Sequence, residues 1–367
     1  MCADKFPNFV QIYNAFMKEI YIYGSCSVSI QPSFRDDYFF EEIKEYSENG
    51  IHVIDPDYKE FIPALQLRRM GKSMRMSVYA AQKAIHRADN LRIDAVITGT
   101  GQGCLRDSEK FVEALWENEG GMLNPTPFIQ STHNMAAATI ALSLGCKGYN
   151  MTYTNNSNSF ESAALDAMVL LNETPEKNVV LGGLDEISQQ TLKFWQKAGF
   201  ASQKGFRIPF PHNANNTGET VSEGAGFFVV SGEKRANPLG KLKNVKTLFE
   251  AENPTEMIKE FLAENKLQPE DLDAVILGIN GDGRFDGIYH QSAQTLFDGI
   301  PQIIFKNVLG EFDTVQALAV DIALKVFQKQ QIPDILQLNN QQKDSYHRIL
   351  VYNQRRGKNH GLILLER

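Results

Sequence analysis

The clearest pattern of apolar and polar positions runs from Gly148 to Ala167, GYNMTYTNNSNSFESAALDA. It predicts a strand over Tyr149–Thr154, a polar elbow at Asn155, Asn156 and Ser157, and then a helix. In that helix Phe160, Ala163, Ala164, Ala167, Met168 and Leu171 recur at helical spacing and give one apolar face. Asn158 or Ser159 is placed to cap it, and Glu161 sits in the first turn, where a carboxylate suits the helix dipole. A strand that turns sharply into a buried helix holds its elbow side chain at a helix N-terminus. Enzymes place nucleophiles there, because the dipole and the free N–H groups stabilise negative charge. Ser157 occupies that position.

Upstream, residues 18–30 read as a strand, 31–63 as a loop-rich insertion, and Arg68–Ala88 as a helix with Met76, Ala80, Ala81, Ala84 and Ile85 on its buried stripe. A strand at Asp94–Thr98 leads into a glycine turn (Gly99, Gly101, Gly103) and a helix over Ser108–Asn118. Pro127–Gln130 reads as a short strand, and Asn134–Leu144 as an Ala-rich helix ended by Gly145. Downstream come a strand at Val179–Gly182, a helix at Ser188–Ala198, a polar loop with Pro209 and Pro211, and a strand at Gly224–Ser231.

The second half repeats this order. IDAVITGTGQG at Ile93 matches LDAVILGINGDG at Leu272, about half the chain away. PTPFIQ at Pro125 is echoed by PQIIFK at Pro301, and the Ala-rich helix by Thr314–Gln328. The closing strands are echoed by Arg348–Tyr352 and Gly361–Leu365. Matches in the same order predict a duplicated α/β unit with a mixed sheet, and two such units sharing their inner helices would give five layers.

Composition narrows the function. The 367 residues suffice for two core-sized units, and 43% hydrophobic with 22% charged residues is ordinary for a globular protein. A net charge of −7 and a pI near 5.6 argue against a general nucleic-acid or anionic-membrane binder. No apolar run is long enough to span a bilayer, and the opening MCADKFPNFVQIYNAF lacks the order of a signal peptide. Cys2, Cys26, Cys104 and Cys146 show no metal-ligand spacing, so reduced thiols in the cytoplasm are expected and no metal. The glycine turn continues as CLRD without a P-loop lysine, so no nucleotide or other cofactor is expected.

The duplicated unit with its strand–elbow–helix resembles the thiolase fold, and local motifs narrow the resemblance to the β-ketoacyl-acyl-carrier-protein synthases. RRMGKSMRMSVYAAQKAI at Arg68, TGTGQG at Thr98, NPTPFIQSTHNMAAATIALSLGCKG at Asn124, VLGGLDE at Val180 and GETVSEGAGFFVV at Gly218 carry it together, over most of the chain. The resemblance implies an α/β thiolase fold of duplicated mixed-sheet halves in a five-layered αβαβα arrangement, divided as residues 1–233 and 234–367. The family's condensing enzymes carry a Cys nucleophile at the elbow and two His residues that stabilise the enolate formed from malonyl-carrier. The nucleophile's place falls on Ser157. The first His falls on Asn280, after the strand AVILGI. The second falls on Glu311, directly after the family's Lys-x-x-x-Gly motif, here Lys306 to Gly310. Lys306 and Gly310 are kept and all three reacting positions are changed. The family's Gly-Phe-Gly-Gly-Thr turn is degraded, at Arg356–Gly361.

A thiol has a pKa of about 8.5, lowered further at a helix N-terminus. A serine hydroxyl is far more basic and needs a positioned general base. Glu311 is the one base the motifs supply, and a glutamate there would repel the malonyl carboxylate and the enolate. Asn280 retains one donor, and Lys306 reads as structural, neutralising Glu311. The expectation is a chain that does not condense on its own. It resembles the chain-length-factor subunits that pair with an active ketosynthase in polyene or polyketide assembly on an acyl carrier protein. In this fold the pairing surface lies around Pro127–Ser157. Two other readings stay open: a Ser157-dependent acyltransferase or hydrolase, and a homodimeric scaffold.

Overall fold

The computed structural model describes residues 19–119, 121–203, 207–211 and 215–367. The opening segment, Cys2 with it, and residues 204–206 and 212–214 of the polar loop lie outside the described residues. The strands are β1 (Ile20–Val28), β2 (Ala95–Gly99), β3 (Tyr149–Tyr153), β4 (Asn178–Asp185), β5 (Gly224–Ser231), β6 (Gly240–Phe249), β7 (Ala274–Leu277), β8 (Gln302–Ile304), β9 (Arg348–Arg355) and β10 (Asn359–Glu366). The helices are α1 (Ala64–Leu67), α2 (Lys72–Arg87), α3 (Leu105–Glu117), α4 (Pro125–Gln130), α5 (Met135–Leu144), α6 (Ser159–Glu173), α7 (Gln189–Lys197), α8 (Pro254–Glu264), α9 (Gly287–Leu296), α10 (Lys306–Leu309) and α11 (Gln316–Lys329).

All ten strands form one mixed sheet, ordered β3-β2-β4-β5-β1-β6-β10-β9-β7-β8. In the first half β2 pairs parallel with β3 and β4, while β5 runs antiparallel to β4 and β1. The second half has the same plan: β7 pairs parallel with β8 and β9, and β10 runs antiparallel to β9 and β6. The halves meet where Ile20, Tyr21 and Ile22 pair with Leu242, Lys241 and Gly240.

Burial explains the strand sequences. Every residue of β1, β4 and β5 is buried, so these strands are covered on both faces and read as unbroken apolar or small-residue runs. On one side of the first half, Tyr79, Ala80, Ala81 and Ile140 of α2 and α5 pack with Val180, Phe227 and Val229. On the second half's outer side, Ile258, Phe261, Tyr289 and Ala293 of α8 and α9 pack with Leu277, Leu350 and Leu362. Between the halves lie α6 and α11. Helix α6 packs on β2 and β4 and also on β6 and β10, and α11 packs on β1, β4 and β5 and also on β9. One apolar cluster therefore holds Phe160, Ala164 and Leu171 together with Leu318, Ile322 and Val326. The layers run αβαβα, as expected.

Several local expectations change. Pro127–Gln130 lies in a helix, α4, because Pro125 takes the first helical position and the Asn124 side chain accepts from Thr126 N. The helix expected from Arg68 begins at Lys72, with Gly71 as its N-cap. The duplication is real, but two echoes were misregistered. β8 corresponds to β3, not to the PTPFIQ segment, and α11 corresponds to α6, not to the Ala-rich α5. Short apolar runs without caps do not distinguish these alternatives. The loop-rich stretch 31–63 is as irregular as expected, yet Tyr38, Phe39 and Phe40 belong to the central core.

Phe160 ties α6 to the sheet, its ring 5.9 Å from that of Phe228. Phe160→Ala is expected to cost about 3–5 kcal/mol of unfolding free energy in a denaturant titration, the range for a large aromatic removed from a close-packed core.

Candidate functional site

The elbow forms as read, but its details differ. Asn156 adopts φ 47°, in the left-handed region that Asn tolerates, and this turns β3 into α6. Asn158 takes the N-cap position without a capping side-chain bond. The Ser159 hydroxyl instead donates to Asn156 O at 2.6 Å, and accepts from Asn155 N at 2.8 Å. Gln316, at the start of α11, donates from Nε2 to Ser157 O at 2.8 Å, so the two inner helices are joined at the elbow. Ser157 is buried, and its Oγ has no hydrogen-bond partner among the described residues.

The other three positions come together as one hydrogen-bonded set. Lys306 Nζ lies 2.7 Å from Glu311 Oε2, and Asn280 Nδ2 donates to the same oxygen at 2.9 Å. All three residues are buried. Gly310 supplies the bend, with φ 72°, and a Cβ there would meet the Ser222 side chain. Glu311 is fixed through its backbone as well: its N–H donates to Thr220 O at 2.8 Å and its carbonyl accepts from Ser222 N at 2.9 Å. Asn280 is held by Asp286, which accepts from Asn280 N at 3.2 Å and from Gly281 N at 2.7 Å. Burial pushes the Asp286 carboxyl up to about 7.

Chemically this set is a buried ion pair in which Glu311 Oε1 has no hydrogen-bond partner among the described residues. A base for Ser157 must lie within hydrogen-bond reach of its hydroxyl. Glu311 Oε2 is taken by Lys306 and Asn280, and Ser157 bonds to none of the three. Cys104, beside the glycine turn, is buried, and burial pushes its thiol up to about 12, so it is no nucleophile near neutral pH.

Two residues matter more than the sequence implied. Glu161 sits in the first turn of α6, where the sequence places it, but out of reach of water. It is entirely buried, both oxygens lack partners, and burial pushes its pKa up to about 8. Desolvation outweighs the dipole. The second is Asp185, at the end of β4. It accepts from Thr100 Oγ1, Gly101 N and Gln102 N of the glycine turn, and from Thr314 N and Oγ1 before α11. The turn thus binds a carboxylate of its own chain. Its place in VLGGLDE was visible, but nothing local in the sequence announced five donors. Nearby, Glu219 receives Arg355 at 2.8 Å and Arg356 at 3.1 Å, and Arg355 also pairs with Asp313. Of this network, Arg356 opens the turn at Arg356–Gly361.

The architecture is that of known thiolase-fold ketosynthases. The ishigamide ketosynthase/chain length factor matches with a TM-score of 0.76 at 15% identity, over 95% of this chain and 99% of that one. A ketosynthase in complex with its chain length factor from Xenorhabdus doucetiae matches with a TM-score of 0.75 at 15% identity, over 95% and 98%. A β-ketoacyl synthase from Burkholderia phymatum matches with a TM-score of 0.74 at 15% identity, over 96% and 100%. In sequence, a 3-oxoacyl-[acyl-carrier-protein] synthase 2 from Synechocystis is 28% identical over 195 residues, 49% of this chain and 46% of that protein. The match thus spans about half the length of that curated relative. The model of the β-ketoacyl synthase N-terminal domain matches residues 32–236, and the chain belongs to that family.

Removing one member of the buried pair strands the other. Lys306→Met or Glu311→Leu alone is expected to cost about 3–5 kcal/mol, while the double variant costs markedly less, because no charge is left buried and unpaired. Equilibrium denaturation of the double-mutant cycle measures the coupling.

Proposed function

We propose that this chain is the non-condensing, chain-length-factor-type partner of an active ketosynthase, acting in the cytoplasm on chains carried by an acyl carrier protein in polyene, polyketide or fatty-acid-like biosynthesis. The observation that carries this reading is the state of the four site positions. Ser157 has no base, and the two positions where the family's condensing enzymes hold His are tied into a neutral ion-pair set with Lys306. A carboxylate at Glu311 opposes the negative charge that decarboxylative condensation develops.

The pairing surface is supported by exposure. Phe128 and Ile129 are 56% and 57% exposed, and Tyr149 and Met151 lie open on β3. Among the described residues β3 is an edge strand bonded only to β2. An exposed edge strand is a template for pairing and needs a cover. Neighbours in fold bear on what the cover is: one is a ketosynthase in complex with its chain length factor, and another is a type II polyketide acyl-carrier protein in complex with its ketosynthase. Among the described residues no helix is long and apolar enough to cross a membrane.

The first test is co-expression with a ketosynthase bearing an intact Cys–His–His set, encoded beside this chain. A one-to-one complex is expected, with product formed only when both chains are present. Ser157→Ala should leave product yield within about twofold. Incubation of the chain alone with acyl-carrier or acyl-CoA donors should give no adduct by intact mass. A covalent acyl adduct lost in Ser157→Ala would instead establish the Ser157-dependent acyltransferase or hydrolase. A stable self-dimer that never takes up the ketosynthase would favour the scaffold.

Met151→Asp puts a charge on the exposed face of β3. It is expected to weaken association with the partner by at least tenfold in analytical ultracentrifugation, while the melting temperature of the isolated chain is unchanged.

A further inference from the structure

An open cleft lies at the N-terminal end of α6, just ahead of Glu161. The cleft, about 430 Å³, is lined by Asn155, Asn156 and Asn158 from the elbow and by Thr247, Leu248, Phe249 and Asn359 from β6 and β10. Asn158 is buried at its base, with Oδ1 unpartnered, and its Nδ2 donates to His360 O at 3.3 Å across the seam between α6 and β10. Glu161 follows one helical turn later. Gly361 of β10 packs directly on it, and a Cβ at Gly361 would fall inside van der Waals distance of Glu161 Oε1. The carboxyl is therefore sealed from water by one turn of helix lying against a bare stretch of strand.

The charges around it leave it unneutralised. Lys306 is the cation whose field reaches Glu161, and its ammonium is held by Glu311. Asp286 also feels Lys306. His360, adjacent in β10, turns its ring to the other face of the sheet, stacked on Tyr352. A carboxylate in that seam has no side-chain hydrogen-bond partner among the described residues, and a wholly buried unpaired charge is costly enough to drive either protonation or exposure.

We propose that the α6–β10 seam is a pH-sensitive gate: when Glu161 loses its proton, the first turn of α6 parts from β10 and the cleft deepens to reach Ser157. The closed form takes up a proton that the open form releases, so rising pH favours opening. With the closed-state carboxyl near pH 8 and an ordinary carboxyl near 4.5 when open, the open population rises between those values and levels off above the higher one. The gate lies in the fold itself and holds whichever reading of the function is correct.

Hydrogen exchange on the full chain, corrected for the intrinsic pH dependence, tests it. Between about pH 6 and 8, protection of residues 157–162 and 359–362 should fall about tenfold per pH unit, while β5, which carries no ionisable side chain, should not change. Glu161→Gln should abolish that slope, and Glu161→Met serves equally if the glutamine variant does not fold. The same slope in the variant, or β5 losing protection in step, overturns the gate. Carbon-13 labelling of glutamate carboxyls gives a second reading: one resonance should titrate near pH 8 and vanish in the variant. A Glu161 carboxyl titrating at about 4 to 5 overturns the proposal.

Discussion

Two helices, α6 and α11, are buried from both sides by the two halves of one sheet, and the rest of the structure answers to that constraint. Water does not reach this layer, so each polar group carried into it must find a partner in the protein or stay uncharged. Gln316 meets the carbonyl of Ser157, Thr314 meets Asp185, and Lys306 meets Glu311. The site positions are therefore also structural positions. Whatever residues stand at these positions must satisfy one another there. Here Lys306 and Glu311 form an ion pair with the Asn280 amide on its flank.

The fold was legible because its signals were long and local. The apolar face of α6, the cap at Gly145 and the repeated strand before each glycine turn each depend on neighbouring residues alone. The errors fell where the signal was short. Asn124 and Pro125 specify a helix start, yet Phe128 and Ile129 read as strand. The register of the duplication was misjudged for the same reason: an Ala-rich helix matches another Ala-rich helix whatever its layer. Only the strand order shows that α11 is the counterpart of α6.

The buried ion pair was legible through motif spacing. Lys306 and Gly310 fixed the place of Glu311, and the ion pair read from spacing is present at 2.7 Å. The first-turn place of Glu161 is legible in the sequence and its complete burial is not, because a first-turn carboxylate looks the same whether or not a strand closes over it. The difference is made by Gly361, two hundred residues later, whose missing side chain lets the strand close over it. Asp185 was missed because its five donors come from two distant turns. Burial by the other half of the chain is a long-range property that local pattern does not carry.

The shared inner layer also bears on how the protein is made. Helix α6 is synthesised long before α11, and its inner face and the strands beside it have no cover until the second half has emerged. The first half therefore leaves the ribosome as an incomplete sandwich, with Phe160, Ala164 and Leu171 awaiting contacts far along the chain. Such non-local closure slows folding and lengthens the time for which sticky surface is on show. Assembly of the central layer is thus timed by translation of the second half, and chaperone protection matters most in that interval.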